Sequence, residues 1–276
     1  MQLNQTQIEF YRDHGYLLLS ECFSPAEVGR LKAELQTLVG EDSLRRVIEK
    51  DGKAVRSIYG SHVKNEIFRR LSCHPRIVEP ACQILDSEAY VYQFKVNTKS
   101  AYSGDLWDWH QDFIFWHKED GVPSDRMINV AVFIDEVNEF NGPIFVIPGS
   151  HKGGIIETPA KNSATTGDTV YNNSPSWISN LTADIKYSLD SEVISQLVGR
   201  FGMVAPKGAG GSVMFFHCNL VHASPNNISP YDRVIVFATY NSIENIPVGS
   251  DHKRPDFLCS RDYRPVLTVS DSALLF

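Results

Sequence analysis

The chain has 276 residues and a formal net charge of -7, with 33 acidic side chains against 26 lysines and arginines. Nucleic-acid surfaces are built from basic stripes and none occurs here, so this balance argues against a nucleic-acid partner. The apolar runs are too short to span a bilayer, and the polar residues 1–5 do not resemble a signal peptide. The composition predicts a cytoplasmic protein with no membrane segment and with no obligate protein partner evident.

The cysteines and the absence of internal breaks bear on the compartment and the domain organisation. The five cysteines form no C-x-x-C pair, and scattered thiols in an odd number are typical of a reducing compartment rather than of a disulfide framework or a zinc site. No internal repeat, low-complexity run or linker rich in proline and serine divides the chain. A single domain over residues 1–276 is therefore predicted.

The first third of the chain carries helical signals. Thr6 and Glu9 have the spacing of a capping box, and so have Ser24 and Glu27, where Pro25 takes the first helical position. Apolar residues then recur at helical spacing. The N-terminal part, about residues 1–88, is predicted to be mostly helical, with a short strand at 16–19 and helices at 6–14, 25–40, 64–72 and 75–86.

From residue 89 onward the pattern changes to short strands separated by turn-forming residues. Helices followed by a run of strands predict a mainly β fold, a double-stranded β-helix (jelly roll, cupin-like) braced by the N-terminal α-helices, with its core at about 89–241. The polar stretch at about 153–187 is long enough to be a lid over a binding site. The predicted strands are 89–97, 127–135, 144–147, 212–216 and 233–240, and a last helix is predicted at 189–200.

A His-x-Asp motif near the middle of the chain points to a metal site. His110 and Asp112 are two residues apart, and on an extended segment their side chains would point to the same side. A histidine and a carboxylate are two of the three ligands of the facial triad that holds non-haem Fe(II). His222 is the candidate third ligand, and Arg233, eleven residues further on, has the geometry to pair with a carboxylate through two hydrogen bonds.

Three passages carry a resemblance to a known family: residues 92–97 (YQFKVN), 109–121 (WHQDFIFWHKEDG) and 211–233 (GSVMFFHCNLVHASPNNISPYDR). The chain resembles the phytanoyl-CoA dioxygenase superfamily of Fe(II)/2-oxoglutarate oxygenases from about residue 8 to residue 241. The second and third passages are similar to ectoine hydroxylase. The whole, including residues 55–59 and 93–99, is more similar to the leucine 5-hydroxylases that act on the free amino acid.

This resemblance implies the jelly-roll fold, a bound Fe(II), 2-oxoglutarate as co-substrate and O2 as oxidant. His110, Asp112 and His222 match the metal ligands and would be the catalytic centre. Arg233 matches the residue that holds the far carboxylate of 2-oxoglutarate, and the co-substrate site is completed by Ser224 and Asn97. Related halogenases replace the metal-binding carboxylate with a small residue, so the presence of Asp112 favours hydroxylation.

The resemblance also implies a substrate site and a reaction. We expect hydroxylation of an unactivated side-chain carbon in a small free aliphatic amino acid, leucine or similar, with succinate and CO2 as co-products. The expected substrate contacts are Arg56, on the substrate carboxylate, and Gln93, Phe113, Phe115 and Trp116. The alternatives are a hydroxylase of ectoine or another small zwitterion and, in a different class, a non-catalytic jelly-roll binding protein with a vestigial metal site.

A second histidine competes with His222 for the role of third ligand. His217 lies five residues earlier, so in a strand it would face the opposite side, and it lacks the small residue and the serine that follow His222. We therefore expect His217 to be structural.

Overall fold

The computed structural model of the protein describes residues 1–40, 43–160, 177, 181, 185–249 and 254–276. Within these ranges every helix is too short or too polar to traverse a lipid bilayer. The helices are α1 Gln5–His14, α2 Pro25–Gly40, α3 Ser61–Lys64, α4 Glu66–Ser72, α5 Pro75–Leu85, α6 Phe113–Asp120 and α7 Ser191–Phe201. The strands are β1 Tyr16–Leu19, β2 Arg46–Ile48, β3 Val55–Tyr59, β4 Ala89–Lys99, β5 Trp107–His110, β6 Met127–Phe133, β7 Phe145–Val146, β8 Val213–His217, β9 His222–Ser224 and β10 Arg233–Ser242.

The strands form two antiparallel sheets. The larger has the order β1-β8-β6-β10-β4-β3-β2, and the smaller has the order β5-β9-β7. On β6, Val130 and Val132 pack among residues of the N-terminal helices, whereas Ala131 and Phe133 pack with Val146 of β7. Because consecutive side chains of a strand point to opposite faces, helices cover one face of the large sheet and the small sheet covers the other. This confirms the predicted jelly roll braced by helices.

The second helix begins as the sequence predicts, and the first begins at Gln5, one residue before the predicted start. The Ser24 backbone N–H donates to the Glu27 carboxylate (2.8 Å), which completes the capping box before Pro25. The capping box of α1 is formed by Asn4 and Gln7, not by the predicted pair of Thr6 and Glu9. The Asn4 side chain accepts from the Gln7 backbone N–H, and the Gln7 side chain accepts from the Asn4 backbone N–H. An asparagine side chain accepts from the third helical residue as well as a threonine does, so both sites carried the same local signal.

The predicted strands did not include β2, β3, β5 or β9, and the predicted helices did not include α3 or α6. β2 and β3 lie in the part expected to be helical, and they extend the large sheet beyond β4 through the register Ser57 to Asn97. α6 directly follows the His-x-Asp motif, where four apolar residues in a row have no helical periodicity. The short strands are decided by their neighbours, because three to five residues have too little periodicity to define them.

Most of the predicted lid at 153–187 lies outside the described residues. The described end of this stretch is attached to α6, because Lys186 and the Tyr187 hydroxyl both donate to the Glu119 carboxylate at 2.5 and 2.7 Å. The next residues continue across the small sheet, since the Leu189 N–H donates to the Trp109 carbonyl at 2.7 Å. The segment that precedes α7 is thus fixed beside the His-x-Asp motif.

Gly211 gives a test of the packing between the N-terminal part and the sheet. Its φ of +94° lies in the left-handed region, and an added Cβ would overlap the Phe23 carbonyl oxygen. Gly211→Ala should therefore lower the free energy of unfolding by about 2 kcal/mol or more. The matched control is Gly29→Ala, in an exposed part of α2 with open space around it, which should raise stability by about 0.5–1 kcal/mol. Equal effects of the two substitutions in chemical denaturation would contradict this packing.

Candidate metal centre and substrate cavities

The small sheet places two histidines side by side. His110 ends β5 and His222 begins β9, and the two residues are direct cross-strand partners. Their ring centroids are 4.2 Å apart. The Nδ1 atoms lie 2.6 Å from the Asp108 carbonyl and 2.9 Å from the Leu220 carbonyl, respectively. A carbonyl only accepts, so each Nδ1 carries the proton and each Nε2 lone pair is left for a metal ion.

The carboxylate reaches the same point by a different route from the one the sequence predicted. His110 and Asp112 do not share an extended segment, because Asp112 has helical backbone angles (φ -74°, ψ -38°) and immediately precedes α6. The Phe113 N–H donates to the Cys218 carbonyl at 3.0 Å, which anchors this change from strand to helix. The Asp112 carboxylate oxygens lie 3.6 Å from His110 Nε2 and 3.7 Å from His222 Nε2.

These three side chains fit a facial metal site. One ligand atom from each of His110, Asp112 and His222 lies within 4.8 Å of the others. Two imidazoles and one carboxylate on one side of an ion leave further coordination positions open, which is the arrangement of non-haem Fe(II) oxygenases. The chemistry of the donor set and the free Nε2 atoms therefore fit iron, as the resemblance implied.

The local charges favour the protonation states that bind metal. Burial opposes ionisation of Asp112, but the adjacent His222 and His110, together with Lys95, hold the pKa of this carboxyl group below its ordinary value. Burial, with a smaller contribution from His110, lowers the pKa of His222 to about 4. The site is thus built to hold an anionic carboxylate and a neutral imidazole, which are the ligand forms of both groups.

A cavity of about 430 Å³ beside the ligands contains the predicted co-substrate residues. Arg233 donates to the Asn97 side-chain oxygen (3.2 Å), to the Gly142 carbonyl (2.8 Å) and to the Ser224 hydroxyl (3.4 Å). The structure therefore brings Arg233, Ser224 and Asn97 together in the wall of one cavity that also includes the three metal ligands. β9 supplies Ser224, while Asn97 and Arg233 lie on the adjacent strands β4 and β10.

The Arg233 guanidinium is buried with an unsatisfied charge. It is 1% exposed, and its Nε has no hydrogen-bond partner. Among the described residues no carboxylate lies within ion-pair distance of it. Burial lowers the pKa of Arg233 to about 9, and the charge of Arg56 acts in the same direction although Asp135 opposes it. An anion bound in this cavity would supply the missing counter-charge, and a planar guanidinium suits a carboxylate.

A second cavity of about 420 Å³ shares His110 and Asp112 with the first. Three of the predicted substrate residues, Gln93, Phe115 and Trp116, line it. Phe113 does not line either cavity, because it is buried on α6 with its ring against His117 at 5.6 Å between centroids. In α6 residue 115 projects from a different side than residue 113, whereas an extended segment would have grouped the two.

Arg56 also lies outside the lining of both cavities. It is 1% exposed, pairs with the Glu49 carboxylate at 3.0 Å and donates to the Leu106 carbonyl at 2.7 Å. Its guanidinium stacks on Trp107 at 3.7 Å from the ring centroid. A buried, paired arginine of this kind fixes the wall behind Trp107.

Sequence reasoning missed several polar residues of the site. Lys95 lines both cavities, and its position between Gln93 and Asn97 on β4 puts all three side chains on one face. This alternation in the sequence could have predicted that Lys95 faces the site. Arg254 lines the second cavity and forms a buried ion pair with Asp120, with Nε 2.7 Å from Oδ1. Nothing in the sequence linked two residues so far apart.

The structure places His217 outside the metal cluster, as the sequence predicted. Its Nδ1 accepts from the Asn219 backbone N–H at 3.0 Å, and its ring lies 5.1 Å from that of His151. Burial lowers the pKa of His217 to about 4, so the ring is neutral near pH 7. This histidine holds the turn between β8 and β9 instead of a metal ion.

The family model for phytanoyl-CoA dioxygenase matches residues 11–235, which include all three ligands and Arg233. The chain belongs to the phytanoyl-CoA dioxygenase family. The protein is therefore an iron- and 2-oxoglutarate-dependent dioxygenase. This confirms iron and 2-oxoglutarate, the cofactors expected from the sequence.

Relatives of known activity cover nearly the whole chain. L-proline trans-4-hydroxylase of Streptomyces griseoviridis is 37% identical over 272 residues, which span 99% of this chain and 98% of that protein. Ectoine dioxygenase of Bordetella bronchiseptica is 36% identical over 284 residues, spanning 99% and 87%. The crystal structure of EctD from S. alaskensis in its apoform has a TM-score of 0.81 at 30% identity and covers 97% of this chain and 87% of that chain. EctD structures also exist with Fe and with 2-oxoglutarate and 5-hydroxyectoine.

The chain's own residues bind, orient and shield the reactants. His110, Asp112 and His222 would hold the iron, and Arg233 with Ser224 would hold the far carboxylate of 2-oxoglutarate. When bound, these cofactors supply oxidative hydroxylation by O2, with succinate and CO2 as co-products. Phe216 and Ile144 add apolar surface to the wall of the co-substrate cavity. The protein thus contributes positioning and a shaped cavity, while the metal supplies the oxidising power.

Removal of a ligand side chain tests the metal centre. His110→Ala, Asp112→Ala or His222→Ala should each lower Fe(II) affinity by more than about 100-fold and abolish turnover, because each removes a ligand atom. His217→Ala is the matched control and should retain metal and substantial activity. Metal content by mass spectrometry and circular dichroism of each variant separate loss of metal from loss of fold. Retention of iron by His222→Ala together with its loss in His217→Ala would reverse the assignment.

Arg233 is tested through the co-substrate. A charge-assisted hydrogen bond is worth about 1.5–3 kcal/mol, so Arg233→Ala should weaken the apparent affinity for 2-oxoglutarate by about 10- to 100-fold. Arg233→Lys should recover little, since an ammonium cannot form the two-pronged pair. The control is Arg264→Ala at an arginine with 86% of its side chain exposed. An unchanged 2-oxoglutarate dependence in Arg233→Ala would exclude this role.

Proposed function

We propose that this dioxygenase hydroxylates an unactivated side-chain carbon of a small free amino acid, with a leucine-like aliphatic one as the first candidate. The observation that carries the proposal is the second cavity, which reaches His110 and Asp112, is not lined by Arg233, and has both cationic and apolar walls. The substrate would thus occupy its own space beside the iron, separate from 2-oxoglutarate.

The polar walls suit the carboxylate of an amino acid. Lys95 and Arg254 are the cations that line this cavity among the described residues. Arg254 is held by Asp120, which also accepts from the Tyr92 hydroxyl. A guanidinium fixed in this way presents its remaining N–H groups in a defined direction. Because Arg254 lines the cavity and Arg56 does not, Arg254 replaces Arg56 as the candidate partner of the substrate carboxylate.

The apolar walls suit a hydrocarbon tail. Phe115, Trp116, Leu181 and Ile185 line the cavity together with Tyr59. Each buried methylene of a substrate is worth about 0.8 kcal/mol, so a longer aliphatic tail binds better until the cavity is full. A tail held between the carboxylate site and the ligands brings a distal carbon to the iron, and this geometry would select the carbon that is hydroxylated.

A compact cyclic substrate is supported to a comparable degree. The relatives at 37% and 36% identity act on L-proline and ectoine, both small and zwitterionic. Against ectoine, the wall of the cavity contains the bulky Phe115 and the adjacent Trp116. The same cavity would place either kind of molecule beside the iron.

The deciding experiment incubates the iron-loaded enzyme with 2-oxoglutarate, ascorbate and O2 and one of leucine, isoleucine, norvaline, methionine, valine, proline or ectoine. Mass spectrometry should show one added oxygen atom in leucine or a close analogue, with valine poorer because its tail is shorter. Succinate release should follow the same order. Hydroxylation of proline or ectoine alone would refute the leucine-like assignment in favour of the cyclic substrate, and conversion of none would refute the proposal.

Conservative arginine variants test the carboxylate site. Arg254→Lys should raise the KM for the accepted substrate by about 10-fold, because it removes the fork of N–H donors, and should leave the KM for 2-oxoglutarate unchanged. The matched control is Arg56→Lys, which keeps a buried cation beside Glu49 and should leave both KM values unchanged. The opposite pattern, with only Arg56→Lys affecting the substrate, would restore Arg56 as the substrate contact.

A further inference from the structure

A polar side chain next to the metal site has no role in the cavities described above. Asn129, on the central strand β6, is 2% exposed, and its Nδ2 donates to Asp112 Oδ2 at 2.8 Å. Its own side-chain oxygen accepts from the Thr239 hydroxyl at 2.7 Å. Thr239 lies directly across from Asn129 on β10, so the sheet register itself sets this contact.

The two contacts leave one possible orientation for the amide. A carboxylate is only an acceptor, so Asp112 must face the NH2 group of Asn129 and not its oxygen. The oxygen then faces the Thr239 hydroxyl, which donates to it. Thr239 thereby prevents the amide from turning over, and the chain Thr239 to Asn129 to Asp112 is a directed series of hydrogen bonds from two rigid strands to a metal ligand.

The target of this series is one particular carboxylate oxygen. Both oxygens of Asp112 lie near a ligand histidine, Oδ1 at 3.6 Å from His110 Nε2 and Oδ2 at 3.7 Å from His222 Nε2, and Asn129 donates to Oδ2. A hydrogen bond to one oxygen reduces its capacity to donate to a metal and favours the other as the ligand. With Oδ1 alone bound to iron, three coordination positions stay open, and a carboxylate that bound through both oxygens would occupy one of them.

We propose that Asn129, oriented by Thr239, is a positioning residue that keeps Asp112 a one-oxygen ligand and thereby keeps the coordination positions for 2-oxoglutarate and O2 open. The proposal rests on the iron centre and is independent of the substrate proposed above. Its test can therefore be made without any amino acid, and its failure is distinct from failure of the substrate assignment.

The test measures metal binding and coordination in Asn129→Ala and Thr239→Val. Asn129→Ala should weaken Fe(II) or Co(II) affinity, measured by competition with a chelator, by about 10- to 100-fold. The absorption spectrum of the Co(II)-loaded protein, which reports coordination number, should change in the same variant. Thr239→Val keeps the side-chain shape and should weaken affinity by less, about 2- to 10-fold, while Thr239→Ser should restore it because the hydroxyl donor is back.

A matched control removes an equally buried asparagine that does not contact a ligand. Asn245 is 1% exposed, and its Nδ2 donates to the Ser124 carbonyl at 2.6 Å and to Asn241 at 2.8 Å. Asn245→Ala should lower thermal stability and leave the Co(II) spectrum unchanged. Wild-type affinity and spectrum in Asn129→Ala would overturn the proposal. If Asn129→Ala does not fold, an unchanged spectrum and affinity in Thr239→Val would overturn it instead.

Discussion

The direct pairing of His110 with His222 across β5 and β9 is the constraint on which the rest of the site depends. It brings together two residues separated by more than a hundred positions in the chain, and backbone carbonyls then fix both rings so that Nε2 faces the same point. Because the strands belong to a small sheet packed on a large one, the two histidines are held by rigid elements rather than by loops. This is the arrangement that a metal centre requires if its open positions are to remain defined.

A second constraint is the burial of positive charge around the cavities. Arg233, Arg56 and Arg254 are all nearly inaccessible, but their partners differ. Arg56 and Arg254 are each paired with a carboxylate, Glu49 and Asp120, and therefore stabilise walls or present a fixed edge. Arg233 has only neutral partners among the described residues, so its charge is directed to a ligand. A buried charge without a counter-ion lowers the stability of the fold. Proteins keep such groups at sites where a ligand supplies the opposite charge.

The sequence predicted a large part of both fold and site. The change from helical to strand periodicity at residue 89, the turn-forming residues between strands and the capping box at Ser24 depend on local chemistry and needed no tertiary information. The ligand set and Arg233 were also readable, because the His-x-Asp motif is followed further along the chain by a His-x-Ser motif and then by an arginine. The short strands β2 and β3 and the helix α6 were not, since their conformation comes from pairing and packing with distant residues.

What the sequence by itself determined is the inventory of chemistry: two histidines, one carboxylate and one arginine at a spacing that favours an iron oxygenase. Only the tertiary structure decided which side chains face the iron. It turned Asp112 out of the strand to the start of a helix, left Arg56 and Phe113 outside the lining of both cavities, and brought Lys95, Arg254 and Asn129 to the site. The physical reason is that direction depends on register and packing: a strand and a helix point the same sequence of side chains to different sides, and partners far apart in the chain meet only when the sheets close.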